Sequence, residues 1–507
     1  MLTRIEVIKQ INDFEQKYEV DKWLVDGVKV WPFIRIKLGL HLYYNKDVQK
    51  ISFSQKKNKK ASKIFFLKKY INILVAVIPF LKFLLLRSDY FFAGFFHYRT
   101  KLNEKWTNRF FDVLVNLLRK NNYHSVIVEV SPRVNFNFFN GNRLFFSEEI
   151  KEIFYHLPNT DKIKGETELN GYDGFINDLQ NEESTKGLPI LSVEQLTKAV
   201  RRVFWEANFY YFLLSLKKPK YIFQINYYST QMMGLNIAAH KLNIPVVDIQ
   251  HGGQGPLHMA YGNWSKVPIE GYEMLPKYFW NWSEYDASAI NEWAKKTTCH
   301  KAIHLGNPWL DSFRNNDILT DILKIDGNDY DDNVILFSLQ SKKIEIPDFA
   351  IKAIVETKDR YKWRFRVHPT HSLVVNEIKK QLDDIGLKGC YEIEKTSSLP
   401  LPLVLAKTLL HITEFSGVTK EASDLGIFSI MLHPYSRELF ANEIELGNTL
   451  YIENITKEEF LDLMAEKIKE NTTIIKSEKF NFYEKVKLNF VIPNRLQECQ
   501  NRRYNTN

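Results

Sequence analysis

Short, almost continuously apolar runs recur along this chain, each ended by a polar turn and followed by a helix-forming stretch. Asp89 to Phe96, His124 to Val130, Tyr221 to Asn226, Val246 to Gln250 and Tyr278 to Trp282 form one series. Asn333 to Gln340, Trp363 to His368, Thr408 to Thr413 and Phe428 to Leu432 form a second. A strand with one wet face alternates apolar and polar residues, whereas a strand buried on both faces need not. The pattern therefore predicts parallel sheets covered by helices on both sides, the α/β class. Helices are expected over 108–120, 194–216, 232–242, 287–296, 347–358, 372–384 and 457–471. A chain of 507 residues exceeds one ordinary core. The two series read as two doubly wound, Rossmann-like domains facing a cleft, with an N-terminal extension.

The extension, residues 1–87, opens with a small mixed cap. Within it, Trp23 to Pro32 suggests a hairpin turning at Asp26-Gly27, followed by an apolar helix. The first α/β domain is assigned to 88–316, with a polar insertion near 155–190, and Gly306-Asn307-Pro308 marks a turn near its end. The acidic stretch Asp317 to Asp332 reads as a boundary, the second domain as 333–475, and 476–507 as a basic tail.

Hydrophobic content of 45% and charged content of 25% fit a globular protein and exclude a disordered one. Cys299, Cys390 and Cys499 show no metal-ligand or disulfide spacing, which points to a reducing compartment. The net charge of +9 is concentrated at Lys56, Lys57, Lys59, Lys60, Lys63, Lys68 and Lys69, just before the apolar stretch Ile71 to Leu86. Asn72, Pro79 and Lys82 interrupt that stretch, which is shorter than the roughly 20 residues of a spanning helix. No signal peptide is evident. The pattern suits either a helix lying on an anionic membrane face or one buried between domains. The expected location is cytoplasmic, with peripheral association at the inner face of the cell membrane. No nucleic-acid motif accompanies the lysines, so nucleic acid is not an expected partner.

Three signals fall at predicted strand ends, where open α/β sheets bind ligands. His251 follows Val246 to Gln250 and precedes Gly252 and Gly253, which let a ligand approach the backbone. Its imidazole suits a general base, and the alternative is a capping histidine. His368, held extended by Pro369, joins Arg366 two residues back as a candidate pair for a leaving phosphate. His371 and Ser372 lie close enough in sequence to share that role. Ser416, Gly417 and Thr419 open a helix whose amides suit phosphate, with Glu421 one turn on for a ribose; the plainer reading is an ordinary cap. Ser338 and Gln340 end the first strand of the second domain and are candidates for the donor site. Asp248 reads as a hydrogen-bonded structural carboxylate rather than a catalytic one. P-loop, zincin and serine-hydrolase motifs are absent. The acidic pairs Asp331-Asp332 and Asp383-Asp384 do not read as a metal clamp, so no metal and no cofactor is expected.

These motifs resemble the GT-B glycosyltransferases, and more narrowly bacterial surface-polysaccharide enzymes such as the CDP-glycerol glycerophosphotransferases and the CMP-sugar capsule transferases. The resemblance spans residues 220–450. In the glycerophosphotransferases a His-Gly motif supplies the base, a His-Pro motif binds donor phosphates, and a Thr-Asp-Tyr-Ser-Ser motif opens the helix beneath them. The matching stretches here are Gln250-His251-Gly252, Val367-His368-Pro369 and Thr413-Glu414-Phe415-Ser416-Gly417. The last departs from the pattern by Glu for Asp, Phe for Tyr and Gly for the second Ser. The Trp23 to Pro32 segment is also similar to segments in uncharacterised proteins of polysaccharide clusters. The resemblance implies a transferase using a nucleotide-activated donor, CMP- or CDP-linked, and a glycan or lipid-linked acceptor. A nucleotide-sugar epimerase and a non-catalytic polysaccharide-assembly protein are the alternatives.

Overall fold

A computed structural model describes residues 2–44, 80–102, 105–130, 138, 143–146, 164–185, 192–314, 333–340, 344–368, 375–473 and 482–491. The lysine-rich segment and the acidic boundary stretch lie outside the described residues. The chain divides into two compact units, the first comprising Met1–Pro308 with Asn481–Asn507 and the second Trp309–Phe480. The division falls directly after Gly306-Asn307-Pro308.

Unit 1 begins with the cap. Strands β1 (Leu24–Val25) and β2 (Val28–Lys29) form the expected hairpin. Asp26 and Gly27 at its turn both have positive φ, 48° and 75°, as a type I′ turn requires. The apolar helix Trp31–Tyr44 follows. Next in the chain come β3 (Tyr90–Phe95), then β4 (Arg99–Leu102) and β5 (Lys105–Asn108), which pair antiparallel, and β6 (Ser125–Val130) and β7 (Arg143–Phe146). Strand β8 (Thr167–Glu168), from the polar insertion, adds to the cap sheet beside β1. The Asp26 carboxylate accepts the amides of Gly165 and Glu166 at 2.9 and 3.1 Å. Phe175, on the following helix Tyr172–Asn181, packs edge-on against Phe14, Trp23 and Trp31. The insertion thus completes the cap.

Strands β9 (Tyr221–Ile225), β10 (Val246–Ile249), β11 (Tyr278–Asn281) and β12 (Lys301–His304) complete a seven-stranded sheet. Its order is β12-β11-β10-β9-β3-β6-β7, parallel throughout. Alternate residues of β3 face opposite layers. Phe91 and Ala93 join Phe209, Leu213, Leu235 and Ala239 from the helices Val193–Lys217 and Thr230–Lys241. Phe92 lies against Phe111 and Phe223 on the other face, where Phe490 also meets Tyr221, Phe223 and Trp280. Residues 482–491 are therefore not simply a basic tail. They form a helical segment on the sheet, where the Tyr90 and Tyr123 hydroxyls donate to the carbonyls of Phe490 and Val491.

Unit 2 holds β13 (Val334–Ser338), β14 (Lys362–Arg366), β15 (Thr408–Thr413), β16 (Ser429–Met431) and β17 (Thr449–Tyr451). They form a parallel sheet of order β14-β13-β15-β16-β17. Ile335 and Phe337 face Ile354, Phe460 and Met464, while Val334 and Leu336 face Val404, Leu405 and Ala422. Each unit is a doubly wound, Rossmann-like α/β fold. The sequence reading placed a helix from Asn108, but β5 occupies Lys105–Asn108 and the helix begins at Phe111. Asn108 makes the change of element by accepting the Phe110 and Phe111 amides, each at 3.0 Å.

Gly234 lets the helices Val193–Lys217 and Thr230–Lys241 meet closely. A Cβ there would lie 2.7 Å from both the Ala207 nitrogen and the Val203 oxygen. Gly234→Ala is expected to destabilise the protein by about 1–3 kcal/mol through overpacking. Denaturant melts of the variant measure this.

Candidate ligand sites at the two sheet switch points

A parallel sheet whose strand order reverses leaves a crevice at the carboxyl ends of the two strands flanking the reversal. In unit 1 the reversal lies between β3 and β9. The residues leaving those strands are His97 and Tyr98 on one side and Asn226 to Tyr228 on the other, with His251 beyond β10. The His251 ring lies 5.6 Å from Tyr98 and 6.0 Å from Tyr228, and its Nε2 is 3.4 Å from the Tyr228 hydroxyl. His258 also lies tilted against Tyr228, at 5.7 Å. Arg109 lies over Phe110, whose ring meets Tyr98 at 5.7 Å.

Buried polar contacts hold this arrangement. Gln250 accepts the Trp282 amide and donates to Asp286 and to the Gly252 carbonyl, which fixes the chain on both sides of His251. Asp248 accepts the Tyr227 amide at 3.0 Å and the Tyr261 hydroxyl at 2.9 Å. Burial raises its pKa to about 8, so it is a neutral structural carboxyl near pH 7. Arg99 bonds Glu129 at 2.8 Å, and Asn108 donates to the same carboxylate at 3.1 Å. That network fixes the β4–β5 hairpin between Tyr98 and Arg109.

His251 itself is half-buried, with Nδ1 shut off from solvent and unpartnered among the described residues. Desolvation, with the positive charge of Arg109 and the neighbouring His97, lowers its pKa to about 3. The imidazole is neutral at physiological pH and so able to accept a proton. Neither Gly252 nor Gly253 has positive φ, and a Cβ on Gly252 would meet nothing within 4 Å. Torsion does not require glycine there; open space lies beside the backbone.

In unit 2 the order reverses between β13 and β15. Glu414, just after β15, accepts the Gln340 amide across the gap at 3.4 Å. Thr413 donates its hydroxyl to the Ser338 carbonyl and accepts the Ser416 amide. The Ser338 hydroxyl and the Gln340 side-chain carbonyl are buried without hydrogen-bond partners among the described residues. The structure thus brings Ser338, Gln340, Glu414 and Ser416 together at one switch point.

The turn after β15 is tighter than a free phosphate cradle. The Ser416 hydroxyl accepts the Val418 amide at 3.4 Å, and the Thr419 and Lys420 amides bond back to the carbonyls of Ser416 and Gly417. Thr419 is fully buried and Glu421 nearly so. The helix runs only from Val418 to Asp424. Gly417 is exposed, and a Cβ there would meet nothing within 4 Å. Arg366 does not project as a bare cation: its guanidinium donates to the carbonyls of Thr396 and Leu399 and so anchors that segment. His368 leaves β14 half-buried, while Pro369, His371 and Ser372 lie outside the described residues. Among the described residues no group of three or more His, Cys, Asp or Glu is placed to hold a metal ion.

Sequence reasoning missed His97, Tyr98, Arg109, Tyr228 and His258. They come from segments far apart in the chain, and only the reversal between β3 and β9 gathers them. The signal that was available is the pair of polar, aromatic-rich stretches directly after two predicted strands.

No family model matches the chain, and no curated protein matches it. Several solved structures are similar to it. The UDP-GlcNAc 2-epimerase from Neisseria meningitidis bound to UDP-GlcNAc is 14% identical, with a TM-score of 0.45 over 78% of this chain and 98% of that one. The UDP-GlcNAc 2-epimerase from Methanocaldococcus jannaschii is 15% identical, with a TM-score of 0.43 over 79% and 99%. CalG4, the calicheamicin glycosyltransferase, is 12% identical, with a TM-score of 0.41 over 82% and 97%. Likeness at this level says nothing of activity. The two doubly wound sheets stand on this chain's own strand orders.

Four desolvated imidazoles, His300 and His411 buried and His251 and His258 half-buried, predict a pH dependence of stability. Desolvation lowers the pKa of His251, His258 and His411 to about 3 and that of His300 to about 4, from an ordinary 6.5. His300 is fixed as the neutral Nδ1–H form, accepting the Tyr272 amide and donating to the Pro276 carbonyl. Depressed folded-state values mean that the unfolded chain takes up protons first as pH falls through 6.5. Asp248 acts in the opposite sense, its contribution being lost as pH rises from 3.8 toward 8, but it is one group against four. The melting temperature is expected to fall as pH is lowered from about 6.5 to about 4.5. Calorimetric scans across that range measure it, and His258→Gln should flatten the slope.

Proposed function

We propose that this chain is a glycosyltransferase. It moves a sugar, or a sugar-like polyol phosphate, from a CMP- or CDP-linked donor to a hydroxyl of a surface polysaccharide or its lipid-linked precursor. The observation that carries this reading is the neutral His251 imidazole at the unit 1 switch point, with the backbone open beside it at Gly252. Glycosyl transfer to a hydroxyl needs a group that takes the hydroxyl proton as the new C–O bond forms and the sugar–phosphate bond breaks. His251 is given that role, and Gly252 and Gly253 admit the acceptor beside it.

Unit 2 is given the donor. Ser338, Gln340 and Ser416 supply hydroxyl and amide groups at its switch point, Gly417 leaves room for the nucleotide, and Glu421 together with the Thr419 turn supports that wall. His368, which follows β14, is given the departing phosphate, and Arg366 holds the Thr396–Leu399 segment. Transfer on this scheme draws its charge stabilisation from protein groups and survives chelation.

A thermal-shift panel of CMP, CDP, UDP, GDP and ADP identifies the donor nucleotide, since a ligand of the folded state raises the melting temperature. With that donor, His251→Ala is expected to cut transfer by about 10²–10⁴-fold while nucleotide binding is retained. Near-normal turnover removes His251 from the mechanism. Sugar isomerisation without an acceptor, in the absence of transfer, establishes the epimerase reading instead.

Peripheral membrane association is part of the same proposal. No helix among the described residues is long and apolar enough to cross a membrane. The short helix at 80–85 leaves Leu81, Leu84 and Leu85 exposed while burying Phe83, and the lysine-rich stretch precedes it in sequence. Each lysine near an anionic surface contributes roughly 1 kcal/mol, screened by salt. The full chain is expected to float with anionic liposomes at low salt and to be released at high salt. Absence of flotation at low salt removes the membrane from the scheme.

A further inference from the structure

The electrostatics of the unit 1 switch point are one-sided. Arg109 rests over Phe110 and has no acidic partner among the described residues. His97 and Tyr98 follow β3, with ring centroids 4.3 Å apart, and Tyr98 in turn meets His251. Three imidazoles, one guanidinium and two phenols are gathered here. Nearby carboxylates are already engaged: Glu129 and Asp112 with Arg99, and Asp248 with two tyrosines.

A histidine acting as general base becomes a cation in mid-reaction, and a carboxylate behind its second nitrogen commonly stabilises that cation. Among the described residues His251 has no such group, its Nδ1 being buried without a partner there. Arg109 adds positive charge where the reaction needs negative charge. A base built this way requires its counter-charge from the ligand.

We propose that the unit 1 switch point is a phosphate subsite, in which a phosphate on the acceptor pairs with Arg109 and supplies the negative charge that a protonated His251 lacks. The proposal rests on the general-base role given to His251 above. Phosphate suits the site better than a carboxylate, since its several oxygens match a guanidinium fork together with imidazole and phenol donors. Desolvation lowers the His251 basicity most, and the Arg109 charge lowers it further; the bound anion offsets that charge, so the base is stronger when acceptor is present. The hydroxyl proton passes to the imidazole, the acceptor oxygen bonds to the sugar carbon, and the nucleotide leaves with the electron pair of the broken bond.

The test uses the full-length chain with isotope-labelled histidine, the His251 signal being assigned by its loss in His251→Gln. Inorganic phosphate and glycerol phosphate are expected to shift that signal, and acetate is not. Arg109→Met should weaken phosphate binding by about tenfold or more, and Arg109→Lys should restore part of it. Unchanged melting temperatures show that the variants fold. A His251 signal that phosphate leaves unmoved, equal affinity in Arg109→Met, or equal response to acetate overturns the proposal. A shift produced only by CDP overturns it too, because the phosphate then belongs to the donor. Phosphate binding at Arg109 without binding of any nucleotide in the panel keeps the subsite and sinks the transferase reading. Loss of transfer in His251→Ala without a phosphate response does the reverse.

Discussion

Glu15 accepts from more of the surrounding structure than any one carboxylate near it would need for neutrality. Its two oxygens take the Trp31 indole at 2.8 Å, the Arg35 guanidinium, and the Ser265 amide and hydroxyl at 2.7 and 2.5 Å. Arg35 donates onward to the carbonyls of Met259, Gly262 and Asn263 and lies over Trp264 at 4.5 Å. Both charges are fully buried. Removing one partner from such a pair strands the other, typically at a cost of about 3–5 kcal/mol. The cap is thereby joined to the loop that carries His258 and leads from His251. Gly262 has no room for a side chain in that loop, since a Cβ would fall 2.2 Å from the Pro256 oxygen.

A second buried network, Arg99 with Glu129, Asp112 and Asn108, does for the other wall of the crevice what Glu15 does for this one. The imidazoles and phenols at the switch point lie in mutual ring contact, His251 with Tyr98 and Tyr228 and His258 with Tyr228. Their positions are inherited from the buried charge networks of Arg99 and Arg35. Unit 2 is organised differently. Its switch point is tied directly by Thr413, Glu414 and the Ser416 turn, so the groups nearest the crevice there are also the ones that close it.

Legibility in the sequence followed the physics of each element. Central strands such as β10 and β13 are buried along their whole length, so their apolar runs stood out. The β1–β2 hairpin was readable because Asp-Gly marks a turn with two positive φ values. The β4–β5 hairpin was not, because Arg99 and Lys101 look like surface residues when Glu129, Arg99's partner, lies thirty residues away. The segment at 482–491 was hidden for a similar reason: ten residues that mix apolar side chains with Glu484, Lys485 and Lys487 give no long periodic signal, yet Phe490 meets four aromatic rings. At the candidate sites, His251 and Ser416 were visible as strand-end motifs. Arg366 was read as a phosphate ligand because sequence cannot show that backbone carbonyls already occupy it. Arg109 was overlooked because neither charge nor spacing distinguishes it from other surface arginines.

The return of residues 482–491 to unit 1 also orders the events of synthesis. Unit 2 is an insertion within unit 1, and its whole segment leaves the ribosome before the last piece of unit 1 does. Tyr90, Tyr221, Phe223 and Trp280 must wait, with part of their sheet face uncovered, until a segment some four hundred residues beyond Tyr90 arrives. The later unit in sequence is thus the first able to finish, and the earlier one is born with an open aromatic surface. Such long-range closure is slow and exposes apolar surface while it is pending. The helical turns of 482–491 then act as the cover that ends this vulnerability to association.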